Sequence, residues 1–105
     1  MITRMVEEHI GEYLGPVDWS YDFTQYGISE RCVESGKAML RDLESGGEWE
    51  ATTDGGWPRV GWHRVIRVGM YDGWPYWKPV PSVQVIGTLG SEWHSWSCLS
   101  EIRKL

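Results

Sequence analysis

The segment His63–Met70, HRVIRVGM, decides how this chain is read. Val65, Arg67 and Gly69 alternate with Arg64, Ile66 and Val68, and a period of two belongs to a strand rather than a helix. Apolar side chains fall on both alternating sets, which predicts a central strand with each face partly covered.

Working outward toward the C-terminus, Tyr71-Asp72-Gly73 reads as a turn. Trp74–Pro81 carries Pro75, Pro79 and Pro81. Proline has no N–H to give a ladder, so this stretch is expected to be an edge strand or a connecting arm. Ser82–Leu89 reads as a strand with Val83 and Val85 facing one way, Gly90-Ser91 as a turn, Glu92–Cys98 as a last strand, and Ser100–Leu105 as a terminal helical turn. On the other side, Asp54-Gly55-Gly56 is a turn. Glu48–Thr53 is a further strand, with Trp49 and Ala51 on one face.

The first half has a different grammar. Residues 4–14 space Met5, Val6, Ile10, Tyr13 and Leu14 as an amphipathic helix, with Thr3 able to cap it and Gly15-Pro16 to stop it. Residues 16–28 alternate Trp19, Tyr21 and Phe23 with Ser20 and Asp22, and read as a short strand or an extended packed segment. Residues 30–44 read as a second helix. Ser29 caps it, Cys32, Val33, Gly36, Met39, Leu40 and Leu43 form its apolar stripe, and Gly46-Gly47 ends it. The expected class is therefore α+β, with two N-terminal helices packed on a small antiparallel sheet or a partly open SH3-like barrel. The likeness to an SH3-like barrel is one of strand number and spacing over half the chain. At 105 residues the chain is expected to form a single domain, residues 1–47 mainly helical and acidic, residues 48–105 mainly β and tryptophan-rich.

Residues 1–50 hold eleven acidic and four basic side chains, while residues 51–105 hold four and six. That asymmetry disfavours nonspecific nucleic-acid binding by the first half and suits a partner with a basic surface. A solvated helix surface is the simpler account of the same charges. No apolar run approaches the roughly 20 residues of a membrane span. The acids in the first fifteen residues interrupt any signal-peptide core, so a cytoplasmic protein is expected. Cys32 and Cys98 are too few for a disulfide framework and are expected to be buried thiols.

Catalytic patterns are weak throughout. His94 and Cys98 stand four apart, which brings them together in a helix but separates them in the expected strand. The histidines and cysteines lack the paired spacing of a zinc site. No phosphate-binding glycine loop occurs. Neither cofactor nor metal is expected. Arg59, Arg64 and Arg67 lie among Trp57, Trp62 and Trp74, a mixture that could bind single-stranded nucleic acid, although protein interfaces use the same residues.

What stands out is eight tryptophans and five tyrosines beside one phenylalanine. Indole and phenol rings have an apolar body and a polar edge, and are enriched at binding hot spots. The densest group is Tyr71, Asp72, Trp74, Tyr76, Trp77 and Lys78. Trp57 and Arg59 sit beside an earlier Asp-Gly and Trp-Pro pairing that echoes Asp72-Gly73-Trp74-Pro75. These eight residues are the candidate binding site, for which packing across an open barrel end is the competing role. The leading expectation is a noncatalytic protein-binding module. In size and character, with no motif behind it, the chain resembles the inhibitors that phages and mobile elements direct at host defence enzymes, such as anti-CRISPR proteins. The alternatives are a small-molecule-binding protein or small enzyme with a Trp/His-lined pocket between helices and barrel, and single-stranded nucleic-acid binding through Arg and Trp of the β half.

Overall fold

A computed structural model of the chain describes residues 11–53, 61–73, 76–87 and 90–105. Among the described residues it holds six strands and one α-helix: β1 (Glu12–Gly15), α1 (Glu30–Glu44), β2 (Trp49–Thr53), β3 (His63–Gly73), β4 (Lys78–Gly87), β5 (Gly90–Ser95) and β6 (Leu99–Lys104), with a 3-10 turn at Trp96–Cys98. This corrects the expectation of two N-terminal helices packed on a sheet. Residues 12–14, expected to close the first helix, are strand. Gly11 at φ +89° turns the backbone out of the helical region, and Tyr13 is half-buried between the exposed Glu12 and Leu14, which is a period of two. The rest of that expected helix, and the turn at Asp54-Gly55-Gly56, lie outside the described residues.

The antiparallel strands run in the order β5-β4-β3-β2-β6, and β1 pairs with the far end of β3. β3 organises the sheet. β2 meets its first residues through Ala51–His63 and Glu50–Arg64. β1 meets its last through Glu12–Asp72 and Tyr13–Tyr71. β4 lines its other edge from Val65 to Gly73. Tyr71-Asp72-Gly73, expected to turn, therefore continues the strand. A bulge between Val65 and Arg67 interrupts the β3–β4 register at Ile66, which is exposed.

The proline-rich stretch is also corrected: β4 is an interior strand, paired to β3 and β5. It tolerates Pro79 and Pro81 because its last pair with β5 is Ser82–Ser95. The prolines lie in the half that runs past β5, where no ladder bond needs their missing N–H. The expected C-terminal helical turn is β6, held on β2 by the pairs Trp49–Lys104 to Thr52–Glu101. The expected last strand stops at Ser95, whose hydroxyl accepts from the Ser97 N–H and starts the 3-10 turn.

α1 forms where its signals placed it. The Ser29 hydroxyl accepts from the Cys32 N–H at 3.3 Å, and Glu30 lies in the positive first turn. Val33, Gly36, Met39 and Leu40 are buried, at helical spacing, against Phe23, Ala51, Val83, Val85 and Trp96 of the core. Met39 and Leu40 are fully buried. Truncating either to Ala costs about 2–5 kcal/mol. Cys32 and Cys98 are both exposed free thiols, against the expectation of buried ones. Cys32 sits at the rim of the helical stripe, and Cys98 ends the 3-10 turn.

Two carboxylates fasten the helix C-terminus. Glu44 accepts from the Val17 N–H at 2.8 Å and the Trp19 indole N–H at 3.1 Å. Asp42 accepts from the Trp49 indole N–H at 2.7 Å and pairs with Lys104 at 3.0 Å. Segment 16–28 is thereby packed on the helix as an irregular chain rather than a strand. Asp18 and Asp22 each cap a local turn, at Ser20 and Thr24. No helix among the described residues is long and apolar enough to cross a membrane.

Candidate functional site

Among the described residues the rings sort into separate groups, one of them set at the end of the β3–β4 hairpin. There the chain passes from β3 to β4, and the Trp77 N–H donates to the Gly73 carbonyl at 2.8 Å to close the turn. Trp77 has φ +54° and is 46% exposed. A bulky side chain in the left-handed region is strained by about 1–3 kcal/mol, and such residues cluster at functional sites. The Tyr76 ring stacks on Tyr26, with centroids 5.1 Å apart and planes 19° from parallel. The Lys78 ammonium lies 5.5 Å from the Tyr26 centroid, within range of a cation–π attraction.

Tyr26 reaches this position because of its local sequence. The Asp22 carboxylate accepts from the Thr24 N–H and hydroxyl at 2.9 and 2.6 Å, and the Gln25 and Gly27 N–H groups close successive turns. Gly27 at φ +71° then redirects the chain into the Ser29 cap. The result is a group of rings at the hairpin end, Tyr26 stacked on Tyr76 with Lys78 beside it, next to the 46% exposed Trp77.

Tyr76, Trp77 and Lys78 are thus brought together. Tyr71 is not with them. It stacks on Trp93 at 4.7 Å, Trp93 stacks on Tyr13 at 5.6 Å, and the Arg67 guanidinium lies 3.9 Å from the Tyr13 centroid. This ladder binds β1 and β5 to β3. Burial, then Asp72 and Glu92, push the Tyr71 phenol up, and burial pushes the Glu92 carboxyl up. Asp72 stands across from Pro79 on β4 and Glu12 on β1. Trp74, Trp57 and Arg59 lie outside the described residues. Tyr26 was missing from the sequence reading. Its signal is 50 residues away from Tyr76 in the chain, and no spacing rule joins the two.

A third ring group belongs to the core. Trp19 and Tyr21 pack on Phe23, and Phe23 meets Trp96 edge-on at 5.2 Å. Burial, with a contribution from Tyr26, pushes the Tyr21 phenol up to about 12; the nearby Trp96 indole N–H opposes this. The two do not meet as a hydrogen bond, so the Tyr21 hydroxyl and the Trp96 N–H are buried without a hydrogen-bond partner among the described residues.

Of the arginines expected to serve nucleic acid, Arg64 and Arg67 are engaged within the chain, and Arg59 lies outside the described residues. Arg64 pairs with Glu48 at 3.4 Å, and Arg67 covers Tyr13. Trp62 is covered by Arg103, 4.0 Å from its centroid, which also pairs with Glu50 at 2.8 Å. Among the described residues no three His, Cys, Asp or Glu side chains converge as metal ligands would. A groove of about 290 Å³ lies between α1 and β6, lined by Trp96 but by no histidine.

No protein-family model matches the chain, and no curated protein or solved structure matches it either.

Proposed function

We propose that the chain is a noncatalytic protein-binding module whose contact surface is the β3–β4 hairpin end, with Trp77, Tyr76, Lys78 and Tyr26. The observation that carries this reading is Trp77 itself: a large, half-exposed ring held at φ +54° at a hairpin end. A half-exposed tryptophan held at a strained backbone position has the character of a binding anchor. Lys78 adds a cation at the rim, and the acidic first half favours a partner that also offers a basic region. The inhibitor-like size and charge make a host defence enzyme a candidate partner.

Affinity capture with the full chain tests this, comparing wild type with Trp77→Gly and identifying bound proteins by mass spectrometry. A stoichiometric partner retained by wild type and lost by the folded variant supports the reading. A partner held equally by both removes Trp77 from the contact.

A further inference from the structure

β6 is an edge strand with a groove beside it, and the two features coincide. The Leu105 N–H donates to the Glu48 carbonyl at 2.9 Å, and the register continues as Trp49–Lys104, Glu50–Arg103, Ala51–Ile102 and Thr52–Glu101. Bonded and non-bonded pairs alternate along an antiparallel ladder. The bonded residues of β6 are therefore Leu105, Arg103 and Glu101, and the backbone groups of Ile102 and Lys104 point away from β2. Among the described residues no strand pairs with that outer side. An unpaired row of N–H and C=O groups is a template for another strand.

The groove runs along this edge. Cys32, Gly36 and Met39 line it from α1, one below another at helical spacing, and Trp96, Leu99 and Ile102 line it from the other side. Gly36 lets the helix approach the Trp96 ring so closely that a Cβ there would lie 2.6 Å from Cε3. The volume of about 290 Å³ is at the bottom of the roughly 300–1,000 Å³ range of small-molecule sites, and suits an inserted apolar side chain. At the rim stand Arg31 and Glu101, both exposed and with no ion-pair partner among the described residues.

We propose that this groove is a second docking surface, taking an extended segment of a partner protein that pairs with β6 and seats an apolar side chain against Trp96. Backbone bonds to Ile102 and Lys104 supply alignment, the groove selects one apolar residue, and Arg31 and Glu101 favour an acidic and a basic neighbour. A second copy of this chain fits less well. Antiparallel pairing of two β6 strands about Ile102 would set Glu101 across from Arg103 of the other copy, but Arg103 is already held by Glu50 and covers Trp62. The surface is independent of Trp77.

Peptides selected from a phage-displayed random dodecamer library on the full chain provide the probe, titrated into the 15N-labelled protein. The expected result is peptides of alternating apolar pattern whose amide shifts fall on residues 31–39 and 99–104. Exchange of the Ile102 and Lys104 amides should slow at least tenfold at saturation. Cys32→Trp fills the groove from an exposed helical position and should weaken binding at least tenfold. Ser100→Pro, a second variant at the exposed edge, should do the same, while Ile86→Ser, at an exposed position of β4, leaves affinity unchanged. Failure to select any peptide, shifts confined to Tyr26 and Trp77, or protection of Ile102 that rises with chain concentration alone would each overturn the proposal.

Discussion

The Trp96 ring lies against Gly36, 2.6 Å from where a side-chain carbon would begin. In an exposed helix, Gly→Ala gains about 1 kcal/mol. Here it must push the ring off Phe23 or bend α1 away from the sheet. Gly36→Ala should instead cost about 1–3 kcal/mol, as overpacked cores do. Urea unfolding of the variant measures this, and a stabilised variant would show that the ring moves freely.

Tyr21 gives a second test. Its phenol is pushed up to about 12 from the usual 10.0. The raised folded value means its contribution is fully present below pH 10 and is lost as pH rises from about 10 toward 12. In an alkaline absorbance titration Tyr21 and Tyr71 should both ionise later than the usual phenol, and Tyr21→Phe should remove the step near 12. Because the hydroxyl is buried without a hydrogen-bond partner among the described residues, its removal should be neutral or stabilising by up to about 1 kcal/mol. A loss of more than that would reveal a bond that the geometry lacks.

The acid limb has two opposing parts. Hydrogen bonds from Trp49 and Lys104 hold Asp42 below its usual range, and those from Ser20 and Thr24 do so for Asp18 and Asp22. Their contributions are present above pH 3.8 and are lost as pH falls through the lower folded values. Glu92 runs the other way: burial raises it, so its stabilisation is full below 4.5 and is lost as pH rises through the folded value. Glu92→Gln should raise the neutral-pH urea midpoint, and Asp42→Asn should lower it while flattening the loss below pH 4. Midpoints measured from pH 3 to 7 check both directions.

Trp77→Gly and Trp77→Ala separate strain from contact. Glycine accepts φ +54° freely and alanine does not. The glycine variant should be more stable than the alanine one by about 1 kcal/mol. Equal stabilities would mean that the backbone relaxes when the indole is removed.

How far the sequence reached depends on where each signal lies. α1 was legible because its cap, stripe and terminating glycines are all local. β3 was legible from its alternation. β6 was not: Leu99-Ser-Glu-Ile-Arg-Lys104 is made largely of good helix formers, and its strand state comes from pairing with β2. β1 was hidden because Tyr13 and Leu14 also fit a helical stripe, and one glycine decided between the two. Pro79 and Pro81 argued against a central strand, and only the early end of β5 removes the objection. In the candidate site the Tyr76–Trp77–Lys78 run was visible as a local concentration of rings. Tyr26 was not, because the stack that braces them forms only when segment 16–28 folds against the hairpin.

The central claim is that Trp77 anchors a partner protein. It is tested most directly by isothermal titration calorimetry of the captured partner against wild type and Trp77→Gly, with both shown to be folded. The account predicts a loss of at least about 2 kcal/mol, or roughly thirtyfold in Kd. Affinities equal within twofold would contradict it.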